Sequence, residues 1–193
     1  EGRRELADGL ADVYIGKANA VGNLGDNNGA VALYDRAIEI YERLVNREGR
    51  RELADGLAKL YSNKANAVSA LGDNNGAVAL YDLAIEIYER LVNREGRREL
   101  ADGLATIYMN KAVAIALGDN PGAVALCDRA IAIRERLVYQ EGRRELADGL
   151  ADLYMNKAIV LEALGDYHPG AMALNDRAIE IFERLVYQEG RRE

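Results

Sequence analysis

The feature that most limits what this chain can fold into is that it repeats itself. The string EGRRELADGLA begins at Glu1, Glu48, Glu95 and Glu141, and EGRRE returns at Glu189. The copies are therefore 47, 47, 46 and 48 residues long, read as repeats 1–47, 48–94, 95–140 and 141–188, with 189–193 starting a fifth. The third copy has lost one residue between Tyr108 and Leu117. The fourth has gained one in GDYHPG, where the others have GDNNG or GDNPG. A fixed period of this size belongs to arrays in which each unit buries its apolar side only against its neighbours.

Every copy carries two helical patterns. In the first copy Leu6, Leu10, Tyr14, Val21 and Leu24, with Ala7, Ala11 and Ala18 beside them, recur at helical and not strand spacing. Ala30, Leu33, Tyr34, Ala37, Tyr41 and Leu44 do the same further on, widened by Ile38, Ile40 and Val45. Helix A is expected over about residues 3–24 and helix B over about 29–46, each on the order of 25–35 Å long. Gly25 stands where a C-terminal glycine belongs, and Asp26, Asn27 and Asn28 offer oxygens to cap helix B. Pro121 and Pro169 fall in this capping loop, where a missing N–H does no harm. Gly49 separates helix B from the next helix A, which Arg50-Arg51-Glu52 reopens.

The net charge of −7 argues against nucleic acid and against an anionic membrane as partners. There is no long apolar run and no signal-like leader. A single cysteine, Cys127, excludes an internal disulfide and suits a reducing compartment, the cytoplasm. The chain begins with the same EGRRE that ends it and lacks an initiator Met, which reads as a block from a longer array or as an engineered repeat protein.

Tyr154, Ala158, Leu161, Leu164-Gly165-Asp166-Tyr167, Ala171 and Ala178-Ile179-Glu180-Ile181 resemble the tetratricopeptide repeat: an aromatic, a small residue four later, a Leu-Gly-Asp turn, then two alanines seven apart. The pattern returns as Tyr14, Ala18, Leu24-Gly25-Asp26, Ala30 and Ala37, as Tyr61, Ala65, Leu71-Gly72-Asp73, Ala77 and Ala84, and as Tyr108, Ala112, Leu117-Gly118-Asp119, Ala123 and Ala130. The usual repeat has about 34 residues. The excess here falls between helix B and the next helix A, as extra helical turns, and is similar to the long-helix subclass of kinesin light chains and bacterial signalling proteins. The resemblance implies an all-α, right-handed α-solenoid of four helix-turn-helix repeats forming one domain over 1–193.

It also implies a concave face lined by helix A. Mapped on this sequence, its first position is Asp12, Lys59, Thr106 and Asp152. The second is Ile15, Ser62, Met109 and Met155, and the third Asn19, Asn66, Val113 and Ile159. These change in nearly every copy while their core neighbours hardly move. They turn apolar in the later copies, which reads as an adaptable partner groove or as a contact with a neighbouring molecule. Asn63, Asn110 and Asn156 recur on the same face, with Gly16 in the first copy. In related proteins an asparagine here bonds the main chain of an extended peptide; the alternative is an amide that orders the helix stack. Only Lys59 and Asn66 match the family's carboxylate clamp, so chaperone-tail binding is not expected.

An invariant lysine (Lys17, Lys64, Lys111, Lys157) replaces the family's usual leucine. It is expected to pair with the aspartate of its own copy (Asp35, Asp82, Asp128, Asp176), as in Lys17–Asp35, or to keep its head in water. The arginine pairs such as Arg50-Arg51 are expected to be neutralised by flanking glutamates. Gly9, Gly56, Gly103 and Gly149 cost helix stability and so point to close backbone approach. Cys127 and His168, the only histidine, are in different elements and make neither a metal site nor a nucleophile pair. GDNNG lacks the alternating ligands of a calcium loop. No catalytic, metal or cofactor site is expected. The expected function is a non-catalytic scaffold for a protein or peptide; the alternative is a structural module that self-associates through uncapped ends.

Overall fold

The computed structural model describes residues 2–116, 118, 120–163 and 169–189, with side-chain surroundings for 6–116, 118, 121–163 and 169–187. Among the described residues eight α-helices follow one another: α1 (Gly2–Asn23), α2 (Asn27–Glu42), α3 (Ala54–Ala70), α4 (Asn74–Glu89), α5 (Ala101–Ile115), α6 (Asn120–Glu135), α7 (Ala147–Glu162) and α8 (Pro169–Arg184). The odd-numbered ones are the expected A helices and the even-numbered ones the B helices. No strand occurs among the described residues, and none of their helices is long and apolar enough to cross a membrane. The fold is an all-α helical repeat.

The turn inside each of the first two pairs is chemically local. Gly25 takes a φ of 88°, which lets the Asp26 N–H reach back to the Val21 carbonyl at 3.0 Å and close α1. Asp26 then caps α2, its carboxylate accepting from the Gly29 N–H at 2.8 Å. A Cβ at Gly29 would fall 2.2 Å from that carboxylate, so the cap requires glycine three residues on. Gly72, Asp73 and Gly76 repeat the arrangement. The cap is the aspartate alone: Asn27 and Asn28 lie in the first turn of α2 and not before it. Leu117, Asp119 and the expected turn from Leu164 to His168 lie outside the described residues.

The extra length of each copy is helical, as expected, but not α-helical. A π turn follows each B helix at Arg43–Arg47, Arg90–Arg94, Arg136–Gln140 and Leu185–Glu189. Gly49, Gly96 and Gly142, with φ between 72° and 74°, then break the chain. A single 3₁₀ turn (Arg51–Leu53, Arg98–Leu100, Arg144–Leu146) opens the next A helix.

Contacts group the chain into two compact units, Glu1–Leu100 and Ala101–Glu193. In the first, α1 packs on α2, α2 on α3 and α3 on α4. In the second, α5 packs on α6, α6 on α7, α7 on α8, and α5 also meets α7. The helix crossings are made by the repeated alanines. Ala18, Ala30 and Ala37 are buried, as are Ala65, Ala77 and Ala84, Ala112, Ala123 and Ala130, and Ala158, Ala171 and Ala178. Small side chains let the backbones approach closely, and larger ones such as Leu44, Leu57 and Leu60 fill the space between pairs. Leu6, Leu10 and Leu24, expected on the buried face of helix A, are exposed. Leu24 belongs to the turn, and no helix among the described residues packs on the face of α1 that carries the other two.

Candidate interaction surface

The variable positions on the A helices divide into those that face water and those that do not. Asp12 and Lys59 are exposed in the first unit, and Thr106 and Asp152 in the second. Asn19, Asn66, Val113 and Ile159 are also exposed. Asn63, Asn110 and Asn156 are half-buried, Ile15 likewise, and Met155 is exposed. Ser62 and Met109 are buried and offer no surface to a partner, against the expectation from the resemblance. The reason lies across the helix pair. Where α4 has the large Tyr81, α3 presents the small Ser62; where α6 has the small Cys127, α5 turns Met109 inward, and the thiol meets its sulfur at 3.7 Å. Burial pushes the Cys127 thiol up to about 11, so it is a packed side chain and not a nucleophile.

In the first unit an amide-rich cleft of about 420 Å³ opens between α1, α2 and α3, lined by Asn19, Asn23, Asn27, Tyr34, Asn63 and Asn66 among others. The Tyr34 hydroxyl donates to Asn19 Oδ1 at 2.5 Å, and Tyr81 donates to Asn66 Oδ1 at 2.5 Å. Each bond fixes an amide on the helix surface with its carbonyl turned back to the protein. Desolvation raises both phenols, Tyr81 to about 12, so both remain donors at neutral pH. Tyr34, Asn23 and Asn27 were not among the residues expected here. The signal was in the copies: Asn19 goes with Tyr34 and Asn66 with Tyr81, and both members change together to Val113 with Cys127 and Ile159 with Asn175.

In the second unit α5 and α7 are neighbours, and their exposed positions are mostly apolar: Val113 on α5, Met155 and Ile159 on α7. Thr106 is engaged, donating to the Asp102 carbonyl at 3.1 Å and accepting from Arg134 at 3.1 Å. The first unit thus offers amides and hydroxyls, the second methyl and thioether groups. The only lysine in the expected set, Lys59, sits 3.4 Å from Asp55 one turn away.

The charged groups off this surface are committed to structure. Lys64 pairs with Asp35 at 2.5 Å, and Lys157 with Asp128 at 2.5 Å. Lys64 and Lys157 therefore bond the aspartate of the preceding repeat, not their own, and the expected Lys17–Asp35 pairing is corrected: Asp35 is taken by Lys64. A lysine on helix A reaches the B helix stacked against its outer side, which only the packing of pairs defines. Arg50, Arg97 and Arg143 bond Glu52, Glu99 and Glu145 at 2.9–3.0 Å, and each arginine holds its glutamate below the usual carboxylate range. Arg50 also reaches Asp8 at 2.5 Å. Two of the helix-A glycines, Gly56 and Gly149, seat side chains and not backbone. A Cβ at Gly56 would meet the Tyr41 ring at 2.6 Å, and one at Gly149 the Arg134 guanidinium at 2.3 Å.

The tetratricopeptide repeat profile matches residues 10–50, 57–97 and 104–138. A search of the curated proteins finds no match. Among solved structures the chain is similar to BtubC (BKLC) of P. vanneervenii, with 25% identity, a TM-score of 0.76 and 94% of this chain covered. It spans 66% of that protein's length. It is also similar to a Podosopora anserina protein with nearly identical TPR-like repeats, named as a kinesin light chain (19% identity, TM-score 0.56, 94% of this chain and 90% of the other). The DHF58 filament protein shares the fold at 18% identity and a TM-score of 0.51, covering 99% of this chain and 97% of the other. With three of four copies matched and the same buried alanines in every helix pair, the chain belongs to the tetratricopeptide repeat family.

Proposed function

We propose that this protein is a non-catalytic scaffold that binds an extended or helical segment of a protein partner along the exposed positions of its A helices. The observation that carries this is the contrast along those helices. Their core positions hardly change and are mostly buried, while Asp12, Lys59, Thr106, Asp152, Asn19, Asn66, Val113 and Ile159 stand at positions that vary between copies and face water. A scaffold needs its alanines and leucines fixed; it leaves only the outward positions free to be shaped by a partner. The amide cleft suits hydrogen bonding to a peptide main chain, since amides both donate and accept. Asn63 belongs to that cleft, and Asn110 and Asn156 hold the equivalent places in the second unit. Val113, Met155 and Ile159 suit apolar anchors of the bound segment.

The net charge of −7 favours a protein partner over nucleic acid or an anionic membrane. The single buried thiol fits a reducing compartment, and we place the protein in the cytoplasm. The test is selection of a displayed random-peptide library against the 193-residue chain. Met155→Glu with Ile159→Glu, both at exposed sites, should abolish capture of the selected peptides while the helical circular-dichroism signal stays intact. Met172→Glu, at an exposed site on α8, should not. Peptides that bind the double variant as well as the parent would refute the reading.

A further inference from the structure

The joint between consecutive repeats is built from the same parts wherever both sides lie in one unit. Between α2 and α3, Leu57 and Leu60 are buried on one side and Ile38 and Val45 on the other. The Tyr61 hydroxyl donates to Glu42 at 2.5 Å, Lys64 pairs with Asp35, and Gly56 seats the Tyr41 ring. Between α6 and α7, Leu150 and Leu153 face Ile131 and Val138 in the same way. Tyr154 donates to Glu135 at 2.5 Å, Lys157 pairs with Asp128, and Gly149 seats Arg134.

One half of this joint stands alone on α1 and the other half alone on α8. On α1, Leu10 and Val13 occupy the places of Leu57 and Leu60. They are 49% and 67% exposed, against 2% for each of their counterparts. Gly9 has nothing within 4 Å of its Cβ direction, where Gly56 has the Tyr41 ring. Tyr14 and Lys17 have no hydrogen-bond or ion-pair partner among the described residues. On α8, Ile179 is 53% exposed where Ile38 is 7% exposed, and in the π turn after it Val186 is exposed where Val45 is buried. Asp176 and Glu183 stand in the places of Asp35 and Glu42, and Phe182 in the place of Tyr41.

A cleft marks the same joint on both units. At the joint before repeat 4, Glu135 and Tyr139 line it together with Tyr154, Arg177, Ile181 and Arg184, and Glu135 lies 3.9 Å from Arg177. On the first unit the equivalent residues Tyr14, Arg36, Ile40 and Arg43 line a cleft of about 410 Å³. The α1 face therefore supplies a lysine and a phenolic donor, with Arg36 of α2 beside them. The α8 face supplies the aspartate and glutamate that such groups bond elsewhere in the chain. The apolar halves match in the same register.

We propose that copies of this chain associate head to tail, the α8 face of one copy packing against the α1 face of the next. Lys17 then pairs with Asp176, Tyr14 donates to Glu183, and Phe182 lies over Gly9. The two surfaces are different, so the contact is heterologous and each copy carries one of each.

The experiment is sedimentation of the 193-residue chain over a concentration series, with two face variants. Leu10→Glu with Val13→Glu blocks the α1 face, and Ile179→Glu blocks the α8 face. All three sites are exposed, so the helical signal should be unchanged. The parent should grow in mass with concentration beyond two copies. Each variant alone should remain a monomer, and their equimolar mixture should give a species of twice the chain mass and nothing larger. Gly9→Ala, which fills the seat of Phe182 without touching the monomer's packing, should weaken association about tenfold, a shift worth roughly 1.4 kcal/mol. A constant monomer mass for the parent, assembly by either blocked variant alone, or a mixture that stays monomeric would each overturn the proposal.

Discussion

The same substitution should have opposite signs in two copies of the repeat. Gly9 and Gly56 occupy equivalent places in α1 and α3, and replacing either by alanine raises helix propensity by about 0.5–1 kcal/mol. At Gly9 nothing lies within 4 Å of the new methyl, so the gain is realised in full. At Gly56 the methyl would sit 2.6 Å from Cε1 of Tyr41, about 1 Å inside the 3.5–4.0 Å contact of two carbons. Tyr41 is half-buried between α2 and α3, and desolvation, the largest cause, raises its phenol. Its rigid ring must swing out or push the helices apart. Overpacking of this kind costs about 1–3 kcal/mol, which outweighs the propensity gain and leaves a net loss of about 1 kcal/mol. Urea unfolding at low protein concentration, followed by circular dichroism, measures both variants against the parent. The midpoint should rise for Gly9→Ala and fall for Gly56→Ala. Equal stabilisation of the two would refute the seating of Tyr41 over Gly56.

Three further outcomes follow from the joints. In double-mutant cycles Lys64→Met should couple to Asp35→Leu by about 0.5–1 kcal/mol, held low because the carboxylate is half in water, and should be additive with Asp82→Leu; coupling to Asp82 instead would restore the pairing within one copy. Tyr61→Phe should cost about 1.5 kcal/mol by stranding the Glu42 carboxylate, whereas Tyr14→Phe at low concentration should cost almost nothing, and equal urea midpoints for the two variants would contradict this. Finally, stability should decline in strong base. Desolvation raises Tyr81 from 10.0 to about 12 and, with the carboxylates Glu42 and Glu135, raises Tyr61 and Tyr154 further. The unfolded chain ionises near pH 10 while the folded chain still holds its phenolic protons, so the stabilisation is complete below that pH and is lost as pH rises toward 12 and above. Urea midpoints that stay flat across this window would count against it.

Local chemistry explains how much was legible beforehand. The helix pairs, the Gly25 and Gly49 breaks and the Asp26 cap each depend on residues within a few positions of one another, so a one-dimensional reading finds them. The alanine crossings were legible because four copies state them four times. The exposure of Asn19, Asn66, Val113 and Ile159 was expected from the resemblance to the repeat family, whose concave face helix A lines. The burial of Met109 and Ser62 did not, because it depends on the volume of Cys127 and Tyr81 across the pair. Likewise the glycines were read as close backbone approach, when the approaching groups are Tyr41 and Arg134 side chains.

By itself, then, the sequence determined the period, the helices, their turns and the family, all of which are set by spacing along the chain. Only the tertiary structure decided that Lys64 belongs to Asp35 and not to Asp82, that the amide cleft includes Tyr34, and that α1 and α8 carry unmatched halves of one joint. A helical repeat tells which side of a helix a residue occupies. Which neighbour lies against that side is set by how the pairs stack, and that depends on contacts between residues far apart in sequence.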